Sequence, residues 1–133
     1  MPLHLDTKNY DENINETTNA IIDFSATWCG PCKRMKPYFE KAENFVQSIN
    51  LDVKFFEIDV DELEEIAQDF EISCMPTLVL VKNGVLVARH SGFMSDQEML
   101  TMIGSHFDIP KDDDTTESPE DKSSKQNQSN NSK

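Results

Sequence analysis

Two cysteines with only a glycine and a proline between them, in the stretch Thr27-Trp28-Cys29-Gly30-Pro31-Cys32-Lys33, are the residues of this 133-residue chain best suited to chemistry. Thiols at that spacing can hold a metal, form a lasting cross-link, or cycle between dithiol and disulfide. Structural zinc calls for four ligands, usually a second cysteine pair or histidines at short spacing. Here Cys74 stands alone and His4, His90 and His106 are scattered, so no metal is expected. A cross-link closing so short a loop would constrain the unfolded chain very little. Three cysteines are also too few for a disulfide framework. Redox cycling is the use that fits.

The neighbours of the pair favour that use. Only the thiolate is nucleophilic, and a free cysteine has a pKa of about 8.5. The pair falls where a strand-type run ends and a helical pattern begins, so the unpaired N–H groups and positive dipole end of a helix should favour an anion there. Lys33 and Arg34 add positive charge. Pro31 suits a first helical turn because it has no N–H to leave unpaired, and Gly30 admits tight geometry. Cys29 is expected to be the exposed, activated thiol. Cys32, three residues on, shares its helix face and lies within reach of a disulfide.

The elements that must position the pair follow from periodicity. Ala20–Phe24 is a short apolar run with Asp23 inside it. From about Pro31 to Ile49, Met35, Phe39, Ala42, Phe45, Val46 and Ile49 recur at helical spacing, with Pro37 expected to remove one backbone bond. Asp52–Ile58 reads as a second strand, and Asp61–Phe70 as a short helix with an acidic outer face. Thr77–Val81 and Val85–His90 flank Asn83-Gly84, a strong hairpin signal. Ser95–Phe107 closes the domain as a helix with Leu100, Ile103 and Phe107 inward. The pattern before Thr18 is weak. This order implies an α/β domain over residues 1–109, a mixed sheet of four or five strands with helices on both faces. Residues 110–133 hold no aromatic or aliphatic side chain, so a disordered acidic and polar tail is expected.

The net charge of −13 lies mostly within the domain, since residues 1–110 hold 19 acids and 8 bases. Such a surface repels phosphate backbones and anionic lipid, which argues against nucleic-acid and membrane partners. The first residues lack a basic start and an apolar core, so no secretory signal is expected and the cytosol or nucleus is the anticipated compartment.

The stretch from Ile22 to Pro37, IDFSATWCGPCKRMKP, resembles the thioredoxin family. The likeness rests on an aspartate six residues before the first cysteine, tryptophan before the pair, Gly-Pro inside it and lysine after it. Cys74-Met75-Pro76-Thr77 resembles that family's cis-proline loop, Lys82-Asn83-Gly84 its hairpin and Gly92 its glycine near the site. The resemblance spans about Leu3 to Phe107. It implies that Cys29 attacks a substrate disulfide and that Cys32 then resolves the mixed disulfide, leaving a Cys29–Cys32 disulfide. It implies Asp23 as the proton acceptor for Cys32, a role that burial would serve by raising its pKa. Trp28, Gly30, Pro31, Met75, Pro76 and Gly92 would form the substrate surface. No cofactor is bound in this reading: electrons come from NADPH through a separate thioredoxin reductase, the other partners are disulfide-containing client proteins, and the protein is a monomer. A Rossmann-type glycine fingerprint is absent.

Some points depart from the family's pattern. Phe55 stands where many relatives carry a lysine beside the buried aspartate, so Asp23 is expected to lack a cationic partner and to be tuned by desolvation alone. Ser25 stands where many have tryptophan. Cys74 has two readings, a regulatory or dimer-forming thiol or a small half-buried packing residue, with the second preferred. A disulfide isomerase would carry histidine between the cysteines, and a redox-inactive scaffold would not need both thiols.

Overall fold

A computed structural model describes residues 1–109; the expected tail, 110–133, lies outside the described residues. At its centre is β2 (Ala20–Ser25), the apolar run carrying Asp23. On one side β3 (Lys54–Asp59) pairs with it in parallel, and β1 (Leu3–His4) pairs in parallel with β3. On the other side β4 (Thr77–Lys82) and β5 (Val85–Ser91) continue antiparallel, giving the order β1-β3-β2-β4-β5. The helices are α1 (Tyr10–Asn13), α2 (Gly30–Ser48), α3 (Glu64–Asp69) and α4 (Asp96–Gly104). The weak amino-terminal pattern yields a two-residue strand and one turn of helix.

Strand alternation splits the core into two layers. Ile21, Phe55, Leu78 and Leu80 face Met35, Phe39, Ala42 and Val46 of α2 and Met99 and Ile103 of α4. Ala20, Ile22, Phe24, Phe56, Ile58, Val79 and Val81 face the other way, against Leu63 and Ala67. The same alternation assigns Asp23 to the α2 side, in register with Glu57 on β3 and Leu78 on β4.

Several expected boundaries shift, each for a local reason. The third helix begins at Glu64 rather than Asp61. Asp59 Oδ1 accepts the Asp61 N–H at 2.8 Å, and the Asp59 carbonyl takes the N–H groups of Glu62 and Leu63. A side-chain turn therefore competes with helix at that point. Strand β3 starts at Lys54, two residues later than expected. Phe45, grouped with the inward positions by spacing, is 41% exposed, because α2 packs along the 35–39–42–46 stripe. Helix α2 continues through Pro37, which supplies no N–H to Lys33 one turn earlier. The last helix stops at Gly104; Phe107 lies beyond it, half-buried against the core, with Lys82 Nζ 5.3 Å from its ring centroid. Met99 fills the core position more completely than Leu100. At the start of α4, Ser95 and Glu98 form a reciprocal capping box.

The β4–β5 hairpin closes through Asn83 and Gly84, with φ of 51° and 79°. Both lie in the left-handed region that a two-residue type I′ turn requires. A Cβ on Gly84 would stand 2.7 Å from Asn15 O and from Glu16 Cα, both backbone atoms. Gly84→Ala should therefore destabilise the fold by about 2 kcal/mol or more in urea denaturation. A loss near zero would mean that the Asn15–Glu16 segment does not press against the turn.

Candidate active site

Where β2 ends, the chain turns through Ala26, Thr27 and Trp28 into α2, and Cys29 caps that helix. Cys29 and Cys32 are joined as a disulfide, with Cα atoms 5.3 Å apart. The Cys29 sulfur accepts the Cys32 N–H at 3.2 Å, so one of the orphan amides of the helix start points at the sulfur that would carry charge once reduced. Gly30, Pro31, Lys33 and Arg34 are exposed around it, and no acidic side chain occupies the first turn.

Cys29 is not the exposed partner that residue order suggested. Both cysteines are 5% exposed, packed with Ala26 and against the partly buried Val60 and Met75. The cap position accounts for this: its sulfur bends back over the helix start instead of projecting outward. Cys74 departs in the opposite sense. It was expected to be half-buried and it is exposed, with a free thiol. Its carbonyl accepts from Thr77 Oγ1 at 2.7 Å, so backbone bonding holds the loop while the thiol faces out.

The Cys74–Thr77 loop contains a cis Met75–Pro76 peptide, and Pro76 is buried. Met75 packs onto the cysteine cluster. The Pro76 carbonyl accepts from Gly92 N–H at 2.8 Å, which fastens the end of β5 to the same loop. Gly92 has a φ of 100° and open space where a Cβ would point. Trp28 is 66% exposed, which sets aside ordinary core packing for it; its indole N–H donates to Asp61 at 2.9 Å. Phe93, which the sequence reading passed over, is an exposed aromatic beside Gly92, stacked edge-on against Tyr38 with centroids 5.3 Å apart.

Behind the disulfide lies a hollow of about 430 Å³, with Asp23, Ser25, Cys32, Lys36, Glu57 and Asp59 among its lining residues. The Asp23 side of this hollow is nearly closed, since the residue is 3% exposed and its Oδ1 has no hydrogen-bonding partner in the protein. Burial first, then the neighbouring Glu57 carboxylate, push the Asp23 pKa up from 3.8 to about 7, against an opposing pull from Lys36. The expectation that Asp23 is tuned by desolvation alone is thus corrected. The place beside Asp23 on β3 belongs to Glu57, not to Phe55, which pairs with Ile21 in the core, and the cation at the site is Lys36 from α2. A larger hollow of about 510 Å³, lined by Tyr10 and Asp11 of α1 and by residues 61–66, holds five carboxylates and no thiol, so the chemistry stays with the smaller one. Among the described residues, no group of three or more His, Cys, Asp or Glu side chains could hold a metal, and no helix is long and apolar enough to cross a membrane.

What this arrangement can do chemically is exchange a dithiol for a disulfide beside a carboxyl poised near neutral pH. Rice Thioredoxin H2-1 (Oryza sativa subsp. japonica) is 45% identical over 89 residues, which are 66% of this chain and 61% of that protein's length. Thioredoxin-1 of Saccharomyces cerevisiae is 45% identical over 84 residues, 62% of this chain and 77% of the yeast protein. The solved structure of chloroplastic thioredoxin z superposes with a TM-score of 0.66 at 26% identity, covering 78% of this chain and 92% of that one. The family model described as Thioredoxin matches residues 1–105, so the chain belongs to the thioredoxin family.

Proposed function

We propose that this protein is a thiol–disulfide oxidoreductase that reduces protein disulfides through Cys29 and Cys32. The observation that carries the reading is the cysteine pair at the start of α2 with a buried carboxyl in the hollow behind it. In the reduced protein the Cys29 thiolate attacks one sulfur of a substrate disulfide. The substrate S–S bond breaks, the leaving thiolate takes a proton, and a mixed disulfide forms. Cys32 then gives its proton to Asp23, directly or through a water, and attacks the Cys29 sulfur. The second substrate thiol departs and the Cys29–Cys32 disulfide closes. Two electrons pass from the dithiol to the substrate, so the pair must be recharged. Electrons from NADPH, delivered by a separate thioredoxin reductase, fit that need, and the cytosol is the compartment in which such a dithiol is kept reduced.

Substrate binding falls to the rim around the disulfide. Trp28, Gly30 and Pro31 form one side; Met75, Pro76 and Gly92 form the other. Backbone groups at Met75 suit an extended peptide, which gives affinity across many clients without strong side-chain selection. Cys74, exposed on that rim, is accessible to oxidation or to a second thiol, and the working unit is a monomer.

Insulin reduction with dithiothreitol as electron donor tests the reading. The protein should accelerate precipitation of the insulin B chain well above dithiothreitol alone. Rates equal to the reagent alone would leave a redox-inactive scaffold as the better description.

A further inference from the structure

Among the described residues two carboxyl side chains are buried, Asp23 and Glu43, and the thiol chemistry uses only the first. Glu43 lies on α2 well beyond Cys32, about 16 Å along the helix axis at a rise of 1.5 Å per residue. Its side chain is 6% exposed, and its Oε1 has no hydrogen-bonding partner in the protein. Taking a carboxylate out of water is costly unless a cation or several donors face it, so such an oxygen calls for a partner. Glu43 lines a hollow of about 310 Å³ at the start of β3, with Leu3, Leu51, Val53 and Phe55 also among its walls. The Met1 α-amino nitrogen stands 3.2 Å from Oε1, near enough for an ion pair but not aligned for a hydrogen bond. Met1 itself is 91% exposed, so its ammonium is loosely held there. Lys54, on the same lining, makes no ion pair.

We propose that the hollow beside Glu43 is a binding site for a primary ammonium group on an alkyl stem, the chemistry that ends a lysine side chain. The Met1 α-amino group shows the fit and is a weak occupant of the same seat. The Glu43 carboxylate accepts the N–H donors of the ligand, and the apolar walls cover its methylenes. The surplus of 19 acids over 8 bases in residues 1–110 draws cations toward this surface. The distance along α2 leaves the thiol pair open when the site is filled. The inference therefore stands apart from the proposed function.

The test follows backbone ¹H–¹⁵N shifts of the full oxidised chain as n-pentylammonium chloride is added. Shifts at Glu43, Gln47 and Val53 should saturate with a Kd of about 1 to 10 mM. 1-Pentanol, with the same stem and no charge, should bind at least about tenfold more weakly. Glu43→Gln keeps the shape, removes the charge and should abolish saturation. Attraction to the acidic surface at large would survive that substitution, so equal binding by wild type and Glu43→Gln overturns the proposal. Equal binding of the alcohol, or no saturable binding of the amine, overturns it too. A Gly-Ser extension before Met1 carries the α-amino group away from the hollow and should tighten amine binding about threefold or more. No tightening overturns the proposal. The alcohol and the extension decide the matter if Glu43→Gln does not fold. Binding of acetyl-Ala-Lys-Ala-amide at the same residues would assign the site to lysines of a partner protein, and binding of the simple amine alone would assign it to small amines.

Discussion

Cys32→Ser should capture client proteins as stable mixed disulfides, whereas Cys29→Ser should capture none. The first variant keeps the sulfur at the cap of α2 and so keeps the attacking group. It loses the only thiol placed three residues on in the first turn, within disulfide reach. The attack proceeds and the release stops. The second variant has no nucleophile at the helix start, and its disulfide-reducing rate should fall on the order of a thousandfold or more. Non-reducing gels of lysate passed over each immobilised variant measure the difference. Equal capture by the two would reverse or dissolve the assigned roles. Cys74 is the necessary control, because it is an exposed free thiol; capture by Cys32→Ser should persist when Cys74→Ser is added.

Asp23→Asn should make the protein more stable at alkaline pH and slower to release its substrates. The Asp23 pKa is about 7 in the fold against 3.8 for an ordinary aspartate. Below about pH 4 both folded and unfolded chains keep the proton, and the carboxyl costs nothing through ionisation. Between about pH 4 and 7 the unfolded chain releases its proton while the fold retains it, so stability falls as pH rises. Above about pH 7 the fold holds a buried carboxylate at its full cost, up to about 4 kcal/mol from the size of the shift. Asparagine does not titrate, so urea denaturation of the oxidised proteins should show the advantage of the variant growing from pH 4 to 7 and then levelling. Parallel stability curves would show that Asp23 is not held neutral in the fold. In the reduced protein, resolution of a mixed disulfide should slow by at least roughly tenfold. An unchanged rate from pH 6 to 9 would take Asp23 out of the proton transfer.

The residues proposed to carry the chemistry could be picked out in sequence because they are local. Trp28 through Lys33 are contiguous, and Asp23 stands out as a carboxylate in an apolar strand. The core stripe of α2 was legible as well, since Met35, Phe39, Ala42 and Val46 recur at helical spacing; β2 is buried on both faces and shows no alternation, so its division between two layers was not. What the sequence concealed depends on register or on competition between weak bonds. That Glu57 faces Asp23 follows only once β2 and β3 are paired residue for residue. That Lys36 reaches Glu57 depends on how α2 lies over that pair. The Trp28–Asp61 bond joins residues 33 apart in sequence. The late start of α3 is set by one Asx turn at Asp59, worth too little to register in a hydrophobic pattern. The burial of Cys29 and the exposure of Cys74 arise from loop packing, for which side-chain type is a poor guide.

Disulfide exchange at this site depends on the Cys29 sulfur being an anion at the start of α2 when the protein is reduced. The most direct measurement is the rate of Cys29 alkylation by iodoacetamide against pH in the reduced Cys74→Ser protein. The midpoint should lie near pH 7 or below, with the helix terminus and Lys33 holding the charge. A midpoint at about 8.5, that of an ordinary thiol, would contradict it.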